Sequence, residues 1–432
     1  MSDIATTAGK PPKIKDLKTV LMAVTAALIE GYDTTVFGVY TVIIGRMFFP
    51  SQDESIAVLL AIGTFATGYL MRPIGALAIG AYADRIGRKK TVALVVIVMS
   101  LSTGIVGMLP TYHTIGIAAS VLVILSRLVQ GFAAGGSNST AAVYISELVP
   151  AGRRGFFISL KHTSQVLAFM FTTLLGTLIF SVGEDVAAGW TWRVPFLLAL
   201  LLGPAGLYIR YRSGETQAFT EEVERNQVPA NPLLGVLRGY KRAVVLASTT
   251  RCLHTVVAFI LLFFMPTYAV RQLGLPMEDA LFSGTISAMF TIVACPLSGL
   301  LADRIGFKPT LLLSSGATML AVLPAFKFVV GAPTLDNLIL VQCLLSVLTA
   351  PMAAVSLAFN VELFPTATRS TGMSISDSFN TLVFGGGGSV FVAWLMTRNE
   401  AIAPGYYMFG AAALSFFTLL LVTPRMRHSI SA

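Results

Sequence analysis

The sequence predicts an all-α membrane protein with twelve transmembrane helices, arranged as two pseudo-symmetric six-helix bundles around a central cavity. Three observations predict this fold. Of the 432 residues 55% are hydrophobic and only 12% are charged, whereas a soluble domain carries about 25% charged residues. Long apolar segments recur along the chain, and two loop motifs reappear in the same order in its second half. The composition excludes a water-soluble particle of this size, because too little polar surface is available to cover it.

Each apolar segment supplies the roughly 20 residues that a transmembrane helix needs. Lys and Arg concentrate in the two tails and the even-numbered connections, whereas Arg46, Arg271 and Arg398 lie in odd-numbered ones. Because positive residues are retained on the cytoplasmic side, both termini are predicted to be cytoplasmic. The predicted spans cover about residues 19–48, 55–81, 91–109, 114–146, 153–181, 192–210, 243–270, 279–301, 309–330, 335–361, 370–396 and 404–423.

An internal repeat divides the chain into two halves. "GAYADRIGRKK" at Gly80–Lys90 is echoed by "GLLADRIGFKP" at Gly299–Pro309, and "ELVPAGRRG" at Glu147–Gly155 is echoed by "ELFPTATRSTG" at Glu362–Gly372. Two such halves facing a central cavity are typical of transporters. The predicted parts are a cytoplasmic arm (1–18), a six-helix bundle (19–210), a cytoplasmic linker of mixed charge (211–242), a second bundle (243–423) and a cytoplasmic tail (424–432).

These motifs carry a resemblance to a known family. "GAYADRIGRKK" resembles the loop signature of the major facilitator superfamily, and "YLMRPIGALAIGAYADRIGRKK", "SRLVQGFAAGG" and "WTWRVPFLLALLLGPAGLYIRYRSGETQAF" resemble its metabolite:proton symporter family. The resemblance is strongest to the citrate and tricarballylate branch. It implies the twelve-helix fold, the inner membrane of a bacterium and proton-coupled uptake of an organic acid, or of a zwitterion such as proline or betaine.

The loop signature also predicts a latch between the cytoplasmic helix ends. The carboxylate of Asp84 is poised near the start of the third span, where the helix dipole favours negative charge. The basic residues beside it can pair with Glu147 on the same membrane side. In the second copy Phe307 and Pro309 replace basic positions, which predicts a weaker latch. The residues assigned to gating or to the latch are Arg72, Asp84, Arg85, Arg88, Glu147, Asp303 and Arg304.

Several cationic side chains fall inside predicted spans. Lys161 lies eight residues into the fifth span, about 12 Å deep at 1.5 Å per residue. A charge near mid-membrane costs roughly 2.5–3.5 kcal/mol, so it normally faces a bundle interior or a wet cavity. Snorkelling to the interface or pairing with a structural carboxylate stays open as an alternative. His254 follows Arg251 by three residues and so shares its helix face. The predicted substrate-binding residues are Arg127, Lys161, Arg251, His162, His254, Tyr32 and Asn380.

Buried carboxylates predict the route of the coupled proton. Glu30 and Asp33 lie in the first span and Asp377 in the eleventh. They balance the full charges of the buried Arg and Lys residues, and protonated histidines would make the sum positive. The sequence therefore predicts that the missing negative charge is a di- or tricarboxylate substrate, since Arg and Lys bind carboxylates. Burial favours the neutral form of a carboxyl group, which makes Asp33 the first candidate for the proton carrier and Glu30 the second.

Other substrates stay open at this point. The citrate branch is expected to carry a neutral residue at the Lys161 position, no arginine at Arg251, and an acidic residue where this chain has "SNST" at Ser137–Thr140. A zwitterionic osmolyte or amino acid would need fewer cations. An aromatic carboxylate such as phthalate is the third alternative, with Tyr32 and aromatic neighbours at 37 and 379 as its wall, although helix packing is the plainer role for these rings.

The motifs give no support to other function classes. The chain has no Ser-His-Asp arrangement, HExxH motif or phosphate-binding glycine loop placed for catalysis, so an enzyme is not predicted. A membrane sensor on this fold would need a large extra domain. No cofactor or metal is predicted, because three cysteines without CxxC spacing and scattered histidines do not form a metal site. The expected partners are a small organic anion, protons and the lipid bilayer, without nucleic acid, and the expected state is a monomer. Sodium coupling and anion exchange stay open.

Overall fold

The computed structural model describes residues 17–51, 54–86, 88–135, 145, 149, 151–181, 189–212, 239–364, 369–396 and 401–422. The tail and most of the predicted arm and of the predicted linker lie outside these residues. Helices dominate the described part. They are α1 Leu17–Val39, α2 Thr41–Phe48, α3 Glu54–Ile86, α4 Arg88–Met108, α5 Tyr112–Ile115, α6 Ile117–Ala134, α7 Arg154–Phe180, α8 Val194–Arg212, α9 Lys241–Thr250, α10 Cys252–Val257, α11 Met265–Gln272, α12 Met277–Ile305, α13 Phe307–Gly331, α14 Leu335–Val361, α15 Arg369–Asn380, α16 Gly388–Met396 and α17 Ala403–Leu421.

Seven helical segments of the described chain are long and apolar enough to cross a membrane. The number rises to eight when α1 and α2 are taken as one span, although Ala27–Val39 and Thr41–Phe48 meet at an angle of 58°. The apolar stretches Leu94–Met108 and Thr191–Leu201 are shorter. The fold is therefore helical with several membrane-spanning segments, while the count of twelve and the grouping into two six-helix bundles stay predictions.

The outer surface of the helices is strongly apolar. Leu320 is 75% exposed, Ile117 73% and Leu201 71%, and many other large apolar side chains on these helices are exposed as well. A soluble monomer rarely exposes contiguous apolar surface on this scale. Such a surface is stable where lipid tails cover it, which agrees with the composition of the sequence.

Glycines set the closest helix crossings. A Cβ atom on Gly299 of α12 would lie 2.6 Å from the carbonyl oxygen of Gly155 at the start of α7. A Cβ atom on Gly131 of α6 would likewise overlap the backbone of Gly68 on α3. Small residues let helix backbones approach closely where no hydrophobic effect drives association within the bilayer. These crossings hold α7 against α12 and α3 against α6.

Two spans depart from regular α-helix next to the protein interior. The segment predicted at 243–270 is interrupted at Arg251, between α9 and α10, and continues as a π-helix at Ala258–Phe264. A second π-helix, Thr381–Gly387, separates α15 from α16. Each π segment changes the helical phase of the residues that follow, and such segments are frequent at functional sites.

Candidate functional site

Titratable side chains from both halves of the sequence meet in the interior, and we call them the central cluster. Glu30 comes from α1 and two residues come from α7, before the predicted linker. Three more come from the α9–α10 junction, α10 and α15, after it. Electrostatic interactions and one ion pair connect the members. The members are Glu30, Lys161, His162, Arg251, His254 and Asp377.

Lys161 is the most deeply enclosed cation of the cluster. Its side chain is 2% exposed, so the ammonium group does not reach an interface. The carboxylates of Glu30 and Asp377 attract it, and the guanidinium of Arg251 repels it. The pairing alternative from the sequence therefore describes Lys161 better than snorkelling does, since the lysine shares its surroundings with two acidic groups.

Arg251 forms an ion pair with Asp377. The Nη1 atom of Arg251 donates to Oδ1 of Asp377, and the two side chains are only 6% and 12% exposed. The pair joins the α9–α10 junction to α15 across the protein interior. A buried arginine whose charge is already balanced is less available to an anion than the sequence suggested, and it is a structural link between two helices.

His162 and His254 contact each other at the edge of a cavity. Their ring centroids are 5.1 Å apart and their planes meet at 75°. Both rings line a small cavity, together with side chains from α12, α14 and the first π-helix. His254 still interacts with Arg251 despite the break in the helix. The structure thus brings the two predicted histidines into one pair, although no spacing in the sequence predicts contact between them.

Asn380 belongs to a polar network that fastens α9 and α10 to α15. The hydroxyl of Thr255 donates to its Oδ1, and its Nδ2 donates to the carbonyl oxygen of Ser248 at 2.5 Å. Ser248 in turn donates to the carbonyl oxygen of Ser376 at 3.0 Å. Asn380 is fully buried. Its amide is committed to these helix contacts, which is a packing role rather than a cavity-lining one.

A second polar network surrounds Asp33. Arg127 donates to the side-chain oxygen of Gln130, and Gln130 Nε2 donates to the backbone oxygen of Asp33 and to Thr103 Oγ1, both at 2.8 Å. Ser100 donates to Asp33 Oδ2 at 3.1 Å. The other carboxyl oxygen of Asp33 accepts no hydrogen bond from the part of the chain that the structure describes. Asp33 is 1% exposed, so this oxygen is shielded from water as well.

Arg127 and Arg72 line a second, smaller cavity on the α3–α6 side. The guanidinium of Arg127 lies 4.4 Å from the ring centroid of Phe37, and that of Arg72 lies 4.5 Å from the ring centroid of Tyr69. Cation–π contact with aromatic faces compensates part of the cost of burying these cations. Neither arginine is placed in the central cluster.

The aromatic wall expected for a planar substrate is not assembled. The hydroxyl of Tyr32 donates to the carbonyl oxygen of Pro195 at 2.7 Å, and its ring is 1% exposed. Phe37 is equally buried, beneath Arg127, whereas Phe379 is 49% exposed. The three rings therefore have different surroundings, and Tyr32 fastens α1 to the start of α8.

The second copy of the loop motif makes a defined contact. The carboxylate of Asp303, near the end of α12, accepts hydrogen bonds from the backbone N–H groups of Gly155 and Phe156, at 2.8 and 3.0 Å. It caps the first turn of α7, where a negative charge is favoured. Arg304 is exposed. Glu147 lies outside the described residues. For Asp84, Arg85 and Arg88 the structure describes the helix but not the side chains.

Gln130 and Ser100 are the interior residues that sequence reasoning missed. Gln130 lies three positions after Arg127 in "SRLVQG", hence on the same helix face, and this spacing was the available signal. Ser100 carried no such signal, because a serine in an apolar span is common. No group of three or more His, Cys, Asp or Glu side chains able to hold a metal ion occurs within the described ranges.

The sequence matches the family model described as Major Facilitator Superfamily over residues 23–341 and 284–432. It is 30% identical over 418 residues to the "Citrate-proton symporter" of Salmonella typhi, covering 96% of this chain and 95% of the relative. It is also 30% identical over 414 residues to the "Proline/betaine transporter" of Escherichia coli (strain K12), covering 92% and 82%. Relatives named for an organic acid and relatives named for a zwitterion are thus equally similar in sequence to this chain.

A solved structure supports the fold. The crystal structure of a D-xylose-proton symporter superposes with a TM-score of 0.71 at 18% sequence identity, covering 94% of this chain and 96% of that one. At this identity the likeness concerns the fold alone. It extends over nearly the whole chain, so the helices described above are arranged as in that structure.

Proposed function

Because the chain belongs to the major facilitator superfamily, we propose that it is a secondary active transporter that takes up a di- or tricarboxylate together with protons by alternating access. The observation that most directly supports this proposal is the central cluster, in which Lys161 is buried where helices from both halves of the sequence meet. Relatives named citrate-proton symporter support the same substrate class. The protein is a membrane transporter rather than an enzyme.

The proposal includes the arrangement in the membrane. Twelve helices form two six-helix bundles, one before and one after the linker at 211–242, with the central cluster between them. The membrane is the bacterial inner membrane, and both termini are cytoplasmic. The support comes from the apolar segments, the internal repeat and the distribution of Lys and Arg. The functional unit is a monomer with one substrate path.

In this proposal Lys161 anchors a substrate carboxylate. Its ammonium group can exchange the attraction of Glu30 for that of an incoming anion, because both are carboxylates. Arg251 contributes only when it leaves Asp377, since the two form an ion pair. The histidines offer donors on the cavity wall. Arg127 acts from its own network, through Gln130, on α1.

The proton carrier in this proposal is Asp33, with Glu30 as the second candidate and Asp377 as the third. Asp33 is enclosed by α4 and α6, and its backbone is bonded to Gln130. Protonation removes a buried charge, and deprotonation restores that charge next to the carboxylate of Glu30. A change in the charge of Asp33 therefore biases how α1 sits against α4 and α6, which is the kind of rearrangement that alternating access needs.

A zwitterion is the second candidate substrate. The Arg251–Asp377 pair and the acidic neighbours of Lys161 leave the central cluster with balanced formal charge. A balanced site suits a ligand that carries one cation and one carboxylate, such as betaine or proline. The relatives named proline/betaine transporter agree with this interpretation.

The first experiment is a thermal-shift panel on the purified protein in detergent. Citrate, tricarballylate, succinate, phthalate, betaine and proline are compared at matched ionic strength. A ligand at 100 times its dissociation constant stabilises the folded state by about 2.7 kcal/mol. We expect shifts with the tri- and dicarboxylates alone. A shift with betaine or proline alone would replace the organic-anion proposal by the zwitterion.

Lys161→Gln tests the anchoring role directly. We expect the carboxylate shift and the uptake of radiolabelled ligand into proteoliposomes to be lost, with normal membrane insertion. Lys327→Gln is the matched control, because Lys327 is an exposed lysine on α13. Unchanged affinity in Lys161→Gln would remove the lysine from the binding site.

A further inference from the structure

We propose that the His162–His254 pair is a substrate-linked proton site, which takes up one proton from water when an organic anion enters the cavity. This inference rests on the proposed function and adds a proton site separate from Asp33. It assigns the pair a role in matching the charge of the cavity to the charge of the ligand.

The geometry places the pair next to the space that a ligand would occupy. The two rings come from α7 and α10, with centroids 5.1 Å apart, and both border the same cavity. Its remaining lining is apolar or carries hydroxyl groups, from Thr291 on α12 and from Ser346 and Thr349 on α14. Among these lining residues, all within the described chain, the imidazoles are the groups that can gain a proton at neutral pH.

Charged side chains of the central cluster lie near the pair. Lys161 and Arg251 interact electrostatically with both imidazoles. Glu30 on α1 and Asp377 on α15 act on Lys161. Two cations and two carboxylates sum to zero, so the cluster is balanced when both histidines are neutral. An imidazolium added without a ligand would leave an uncompensated buried charge, which is strongly unfavourable.

An entering carboxylate reverses this balance. It brings negative charge next to the imidazoles that line the cavity, and one imidazole nitrogen then binds a proton from water through its lone pair. A second protonation is opposed by the first, since the rings are neighbours and like charges disfavour each other. The pair therefore takes about one proton per bound anion. A zwitterion brings no net charge and should draw no proton.

Calorimetric titration in buffers of different ionisation enthalpy measures this proton directly. At constant neutral pH, the slope of the binding enthalpy against the ionisation enthalpy of the buffer gives the number of protons taken up. Citrate and tricarballylate are the probes. His162→Asn and His254→Asn are compared with His113→Asn, an exposed histidine on α5. The proton affinity of the probe is common to all variants, so differences between variants isolate the pair.

We expect the proton number for the anions to fall by about one in the double variant His162→Asn/His254→Asn and to stay unchanged in His113→Asn. If that variant does not fold, the single variants His162→Asn and His254→Asn decide, and at least one of them should bind the anion with a lower proton number than the wild type. An unchanged proton number in the folded double variant, or its loss in Asp33→Asn instead, would overturn the proposal. If organic anions bind without taking up this proton, the proposed function stands and only the proposal for the histidine pair fails. If no organic anion binds, both proposals fail.

Discussion

Replacing Arg251 by Met tests whether the buried ion pair with Asp377 is a structural element. Arg251 and Asp377 are 6% and 12% exposed and lie on different helical segments. The substitution keeps most of the side-chain volume and removes the charge, so the carboxylate of Asp377 loses its partner. We expect a large loss of stability in Arg251→Met, and recovery when Asp377→Leu removes the orphaned charge as well.

The structure sets the size of this effect. Two unit charges about 4 Å apart attract each other by about 4 kcal/mol at an effective dielectric constant of 20. Removing one partner of a buried pair costs about 3–5 kcal/mol in measured cases. Lys161 also attracts Asp377 and partly compensates the orphaned carboxylate. We therefore expect Arg251→Met to cost about 3 kcal/mol, and the double variant to lie within about 1 kcal/mol of the wild type.

The assay is the free energy of unfolding from SDS titration in mixed micelles, followed by circular dichroism. Arg153→Met is the matched control, because Arg153 is exposed. Strict additivity of the two single substitutions, or a cost below about 1 kcal/mol for Arg251→Met, would refute the buried pair. Ligand affinity of the double variant adds a second result. Retained affinity makes Arg251 structural, and lost affinity returns it to the substrate site.

Three further outcomes follow from the contacts described above. Asp303→Ala should cost about 1–2 kcal/mol of stability, because two N–H groups of the first turn of α7 lose their acceptor; thermal unfolding measures it, and an unchanged midpoint would mean that the cap contributes nothing. Gly299→Val should cost about 1–3 kcal/mol of stability and slow transport, because the valine side chain would overlap Gly155. Gly63→Val is the control, since open space surrounds that glycine. Equal effects of the two substitutions would contradict the close crossing of α7 and α12. Asp33→Asn should abolish uptake driven by a pH gradient while internal and external substrate still exchange across proteoliposome membranes. Loss of exchange as well would place Asp33 in binding or folding rather than in proton coupling.

The membrane character, the family and the list of buried charges are readable from the sequence. Apolar segments of sufficient length, the repeated loop motifs and charged residues inside those segments are all local features of the chain. A charge in an apolar span is costly wherever it faces, so Lys161 and Asp33 stand out from their position in the sequence alone. Gln130 is within reach too, since its spacing from Arg127 is a local feature.

The partners of those charges were decided only by the tertiary structure. Arg251 and Asp377 are 126 residues apart in sequence. His162 and His254 meet although they lie on different helices, α7 and α10. Which residues meet depends on how each helix is rotated about its axis, and the break at Arg251 and the π segment after Val257 alter that rotation. Tyr32 likewise turns its hydroxyl to a backbone oxygen of α8. Composition and spacing establish that a charge is buried, whereas its neutralising partner is set by packing between distant segments.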